Sequence, residues 1–125
     1  MDRPSKPERQ FVDFYPGKSY FDVAALDVYY SDFSATYYHD LLKLADGKPI
    51  ALAEVGPPPT LDVLEQQPQW TWWMLWAEMI SKKPDDIIAM QTLVNAPRSL
   101  SLEDPAYRQG ITPVRTASGL PPLAK

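Results

Sequence analysis

Three apolar runs in this chain end in residues that carry chemistry. Phe21–Tyr29, FDVAALDVY, ends with Asp27 and Tyr29. Ile50–Val55, IALAEV, presents Glu54. Trp70–Met79, WTWWMLWAEM, ends with Trp76 and Glu78. Carboxylates, a phenol and an indole gathered at one place make a ligand site, and clustered indoles serve a core, an interface or a sugar-binding surface. A single acid at the end of a run is as readily a helix cap or a rim ion pair. Polar or aromatic ends on three successive runs favour a site.

The placement makes physical sense if each run is a strand of a parallel sheet. In parallel α/β folds the apolar part of each strand fills the core, and the working groups sit at the carboxyl ends. The runs have the length and the unbroken apolar character of strands buried on both faces. Tyr15-Pro16-Gly17-Lys18 is a turn before the first. Helical spacing of Tyr38, Leu41, Leu42 and Ala45 predicts a helix over 31–45, capped by Ser31, Asp32 or Ser34 and stopped by Asp46-Gly47. A short helix follows over 60–67, with Thr60 as cap, Leu61 and Leu64 on one face and Pro68 as terminator. Pro84 opens another over 85–95, with Ile87, Ile88, Met90, Leu93 and Val94 facing inward. Strand and helix therefore alternate three times, the pattern of a parallel sheet with crossover helices. Gly56 and the three prolines Pro57–Pro59 stiffen the loop beyond Glu54.

Composition agrees with a folded domain. Of 125 residues, 45% are hydrophobic and 22% charged, outside the disordered range, and a net charge of −4 favours neither nucleic acid nor an anionic membrane as partner. The chain has no cysteine, which excludes disulfides and thiolate metal sites, and no metal-ligand constellation or cofactor motif is visible. No apolar run approaches the roughly 18 residues of a membrane span. Residues 1–10 read as a polar arm and not as a signal peptide. Leu100 and Leu102 read as a short docked piece, and residues 105–125 as a Pro-rich, loosely held tail. His39 reads as a surface histidine, and Asp62, Glu65, Asp85 and Asp86 as solvated helix acids.

Taken together, KPIALAEVGPPP, preceded by YPGKSYFDVAALDVYY and followed by QWTWWMLWAE, resembles the C-terminal part of glycoside hydrolase family 26, the β-mannanase-like retaining endoglycanases. DIIAMQTLVNAPRSLSLED resembles that family's last barrel helix and closing segment. The resemblance implies a partial (β/α)8 TIM barrel over residues 11–104, about three C-terminal βα units comprising strands six to eight. It implies that Glu54 is the catalytic nucleophile, that Tyr29 bonds to it and Asp27 orders the site, and that Trp76, or Trp73 in second place, forms the floor under the reacting sugar. A retaining glycosidase sets an ionised carboxylate below the anomeric carbon and a protonated carboxyl about 5 Å away.

The family's acid/base glutamate ends the fourth strand, which lies outside the resemblance, and Glu78 is no substitute. The expectation is therefore a fragment carrying the nucleophile half of the site, inactive or weakly active alone. Its partners would be a β-linked polysaccharide or oligosaccharide and either a second copy or a complementing barrel fragment, and the family resemblance implies secretion. Two alternatives stay open. One is a non-catalytic carbohydrate-binding module using Trp70, Trp72, Trp73 and Trp76; the other is a self-associating half-barrel interaction protein. Strand alternation puts Trp72, Met74 and Trp76 on one side and Trp73 and Leu75 on the other, which counts against a flat platform of four indoles.

Overall fold

Ile50–Val55 forms the central strand of a three-stranded, all-parallel sheet in this computed structural model, which describes residues 11–123. Ala24–Val28 (β1) pairs with one edge of Ile50–Val55 (β2), and Trp70–Leu75 (β3) with the other. Helix α1 (Ala35–Ala45) connects β1 to β2, and α2 (Leu61–Gln66) connects β2 to β3. The polar arm expected over 1–10 lies outside the described residues.

The core forms where one face of the sheet meets the helices. Leu26, Val28, Ile50, Leu52 and Val55 are buried there with Tyr38, Leu41 and Ala45 of α1 and Leu64 of α2. Burial of each large aliphatic side chain contributes about 1.5–3 kcal/mol. Tyr38 rests its ring 5.3 Å from that of Trp70 and accepts a hydrogen bond from the Gln69 amide at 3.1 Å, joining α1 to the start of β3. Gln67, the buried polar side chain of this layer, accepts from the Trp70 indole at 2.9 Å and donates to the Phe33 carbonyl at 2.7 Å. Lys48 lies 4.8 Å from the Phe21 ring and donates to the Lys18 carbonyl at 2.6 Å and to that of Phe21, tying the segment before β1 to the entrance of β2.

Helix ends follow local chemistry. Helix α1 starts at Ala35, later than the sequence pattern suggests, because Tyr30 and Ser31 take left-handed conformations (φ 59° and 61°) and turn the chain first. It ends at Asp46 and Gly47, both left-handed, which frees the last carbonyls to be capped by following amides. Thr60 caps α2 by accepting from the Val63 amide at 3.3 Å. The third apolar run is a strand only to Leu75; Ala77–Met79 is a 3₁₀ turn.

The chain divides into two compact units between Ser81 and Lys82, with the sheet in the first. The second contains α3 (Pro84–Val94) and α4 (Pro105–Ala117). Among its described residues only Leu93 is buried, so the expected inward stripe on α3 is corrected: Ile87, Ile88 and Val94 are exposed, and Met90 half-buried. Two helices have too little apolar surface to cover such a stripe. Leu100 and Leu102 are likewise exposed. Helix α4 occupies what the sequence suggested was a tail; Asp104 accepts from the Ala106 amide at 2.8 Å and Pro105 fits the first turn.

Candidate active site

The side of the sheet away from the helices is where the strand-end residues meet, and a break in strand alternation puts Glu54 there. Side chains alternate between faces along a strand, and register partners point the same way. Ile50 and Leu52 face the helix layer, so unbroken alternation would send Glu54 into it. Between Leu26↔Leu52 and Asp27↔Glu54, however, β1 advances one residue while β2 advances two. Ala53 is the extra residue of a β-bulge. Glu54 thus shares the open face with Asp27, while Val55 returns to the core opposite Val28. Bulges of this kind re-aim a side chain without breaking the strand. They also spare the cost of burying a carboxylate among aliphatic groups.

Strand β3 has its own irregularity. It advances three residues from Trp70 to Trp73 while β2 advances two, from Ile50 to Leu52. Trp70, Trp73 and Leu75 accordingly register with the core residues Ile50, Leu52 and Val55. Trp72, Met74 and Trp76 take the open face, 46%, 39% and 43% exposed, enough to meet a ligand. Trp73, the second candidate for a sugar floor, is on the other side from Glu54. Trp70 is buried, so the four indoles do not form one platform.

Tyr29 joins the groups together. Its hydroxyl donates to Glu54 Oε2 at 2.7 Å, and the Trp76 indole N–H, a group that can only donate, favours the phenolate form from nearby. Asp27 is half-buried beside Glu54 in register. The hydrogen bond to Glu54 is the largest influence holding the Tyr29 phenol above its ordinary pKa of 10.0; desolvation and the negative charges of Glu54 and Asp27 add to it, and the Trp76 indole opposes it. Near neutral pH the phenol therefore stays protonated and keeps its donor aimed at the carboxylate. Asp27, Tyr29, Glu54 and Trp76 share one face of the sheet.

Glu78 lies in the exposed 3₁₀ turn after β3, and His39 is exposed on α1. Among the described residues no group of three or more acids or histidines could hold a metal ion, and no helix is long and apolar enough to cross a membrane. Two contributors escaped the sequence reading. Ala53 supplies the bulge, for which the only signal is that the large core residues of β2 fall at 50, 52 and 55. Gly56, read as a loop stiffener, packs against Tyr29. The resulting arrangement, a carboxylate held by a phenol beside exposed indole faces, can support nucleophilic or general-base chemistry on a sugar-like substrate.

Known proteins share this arrangement of strands and helices. The mannan endo-1,4-beta-mannosidase of Bacillus subtilis is 35% identical over 81 residues, covering 56% of this chain and 22% of the relative. That of Thermothelomyces thermophilus is 37% identical over 70 residues, 53% of this chain and 14% of the relative. The solved structure of GH26A from Muricauda sp. MAR_2010_75 matches with a TM-score of 0.70 at 39% identity, covering 81% of this chain and 33% of that one. The Podospora anserina GH26-CBM35 beta-(1,4)-mannanase matches with a TM-score of 0.63 at 31% identity, covering 73% and 22%. The chain thus spans less than a quarter of the length of either curated relative. The profile of glycosyl hydrolase family 26 matches residues 4–101, well over half of the sequence, and the chain belongs to that family.

Proposed function

We propose that this chain carries the nucleophile half of a retaining β-1,4-mannan hydrolase site, its sheet being strands six to eight of a (β/α)8 barrel over residues 11–104. Glu54 is the nucleophile. One of its oxygens attacks the anomeric carbon, and the bond to the leaving oxygen breaks with its electron pair, giving a glycosyl ester that water later hydrolyses. Tyr29 orients the carboxylate, Asp27 orders the pair, and Trp76 offers its ring to the C–H face of the sugar. The observation that carries this reading is the 2.7 Å bond from Tyr29 to Glu54 on the face where Trp76 is exposed. The protonating carboxyl is, by family resemblance, on the fourth strand, which the three strands described here do not include. The substrate is a β-linked mannan or oligosaccharide, and a complementing part of the barrel completes the site.

The test uses a substrate that needs no acid. A mannobioside fluorinated beside the anomeric carbon, with dinitrophenolate as leaving group, expels that group unaided and leaves the sugar on the nucleophile. Peptide mass mapping of the treated chain is expected to find the adduct on Glu54, and none after Glu54→Gln. An adduct on another carboxylate, or equal labelling of the variant, would refute the assignment.

A further inference from the structure

Gly56 is buried two residues beyond Glu54, and its amide donates to the Val28 carbonyl at 2.9 Å, which ties it to the strand that delivers Tyr29. A Cβ built on Gly56 would stand 3.2 Å from Tyr29 Cδ1 and 3.5 Å from Tyr29 Cα. The backbone at Gly56 lies outside the left-handed region that would itself demand glycine. What a side chain would meet is therefore the Tyr29 ring. That ring has little freedom to yield. Its hydroxyl is held by Glu54, and its main chain runs directly into the left-handed Tyr30–Ser31 turn.

We propose that Gly56 is a positioning residue: its missing side chain lets the Tyr29 ring lie against the β2 backbone, so that the phenol reaches Glu54. The catalytic meaning of this rests on Glu54 being the nucleophile, but the geometry does not. A methyl group at this position must displace the ring by a few tenths of an ångström, and the displacement falls on the hydrogen bond at the ring's far end.

The test follows the phenol directly, in the full chain with tyrosines labelled at Cζ. Comparison with Tyr29→Phe assigns the Tyr29 resonance, which is expected to titrate above 10.0. In Gly56→Ala the Tyr29 midpoint is expected to fall toward 10.0. An unchanged midpoint overturns the proposal. A second measurement covers a variant that folds poorly: Gly56→Ala is also made in a Tyr29→Ala background, where no ring remains to displace. The loss of stability caused by Gly56→Ala is expected to vanish there, and an equal loss in both backgrounds overturns the proposal. Neither readout needs activity, so failed labelling of Glu54 would refute the nucleophile assignment and leave this proposal to be judged by the titration.

Discussion

Tyr29 and Glu54, 25 residues apart in sequence, are joined by a hydrogen bond of 2.7 Å. The contact depends on a parallel pairing in which β1 and β2 run in the same direction, so that both carboxyl ends open at the same edge. It depends also on the extra residue Ala53, which turns Glu54 to the face where Tyr29 stands. An antiparallel pairing, or a flat β2 that kept Ala53 in strict alternation, would separate the two groups. The phenol then does for the carboxylate what solvent would otherwise do, supplying a donor in a fixed direction.

Tyr29→Phe removes that donor and keeps the ring. Labelling of Glu54 by the activated mannobioside is expected to slow about 10- to 100-fold, the range for a hydrogen bond to a charged group. A pH dependence accompanies it. The Tyr29 phenol binds its proton more tightly in the folded chain than in the unfolded one, where its pKa is near 10.0. Its contribution to stability is therefore fully present below pH 10.0 and is lost as pH rises through the higher folded value. Urea midpoints measured across this range should fall less steeply for Tyr29→Phe than for the parent chain. Parallel slopes would mean that the phenol gains nothing from Glu54 on folding.

Two further substitutions should move the Tyr29 titration in opposite directions. Glu54→Gln removes the negative charge and weakens the acceptor, so the midpoint should drop toward 10.0. Trp76→Phe keeps an aromatic surface but deletes the indole donor that stabilises the phenolate, so the midpoint should rise. Carbon-13 chemical shifts of the tyrosine ring against pH would read both. A midpoint that Trp76→Phe leaves in place would mean that the indole serves Tyr29 only as a neighbour and not as a donor.

The sequence made some of this visible and hid the rest, for identifiable reasons. Strand β2 was legible to the residue, because Pro49 before Ile50 and Gly56-Pro57 after Val55 bracket an unbroken apolar run. The companions of Glu54 were accessible through a family resemblance and not through periodicity. The bulge was hidden because a residue as small as Ala53 fits either face, so IALAEV reads equally well as a flat strand that would send Glu54 into the core. Helix α4 was hidden by Gly110 and Pro113, both helix breakers on average. The Asp104-Pro105 start signal was present and outweighed them. The exposed stripe of α3 shows the opposite error: helical periodicity marks a face able to be buried, but not whether anything buries it.

Gln67→Leu tests the layer beneath the site. The amide satisfies both the Trp70 indole and the Phe33 carbonyl in the buried layer, so an apolar replacement strands two polar groups at once. Each is expected to cost about 1–3 kcal/mol, measured as a fall in the urea midpoint at unchanged slope. Because Trp70 anchors the start of β3, its indole fluorescence should shift as the tie to Gln67 is lost. A variant as stable as the parent would place those groups in contact with water.

The parity of β2 can be tested by changing its length. Deleting Ala53 removes the extra residue but leaves Leu52 facing the helices, the glutamate facing away and Val55 back in the core, since two deviations from strict alternation cancel. It also matches the two-residue advance of β3 between Trp73 and Leu75. The shortened chain is therefore expected to fold, with the Tyr29 resonance still titrating high. A Tyr29 midpoint that fell to 10.0 in the deletion variant would show that Glu54 reaches the open face by some route other than the bulge.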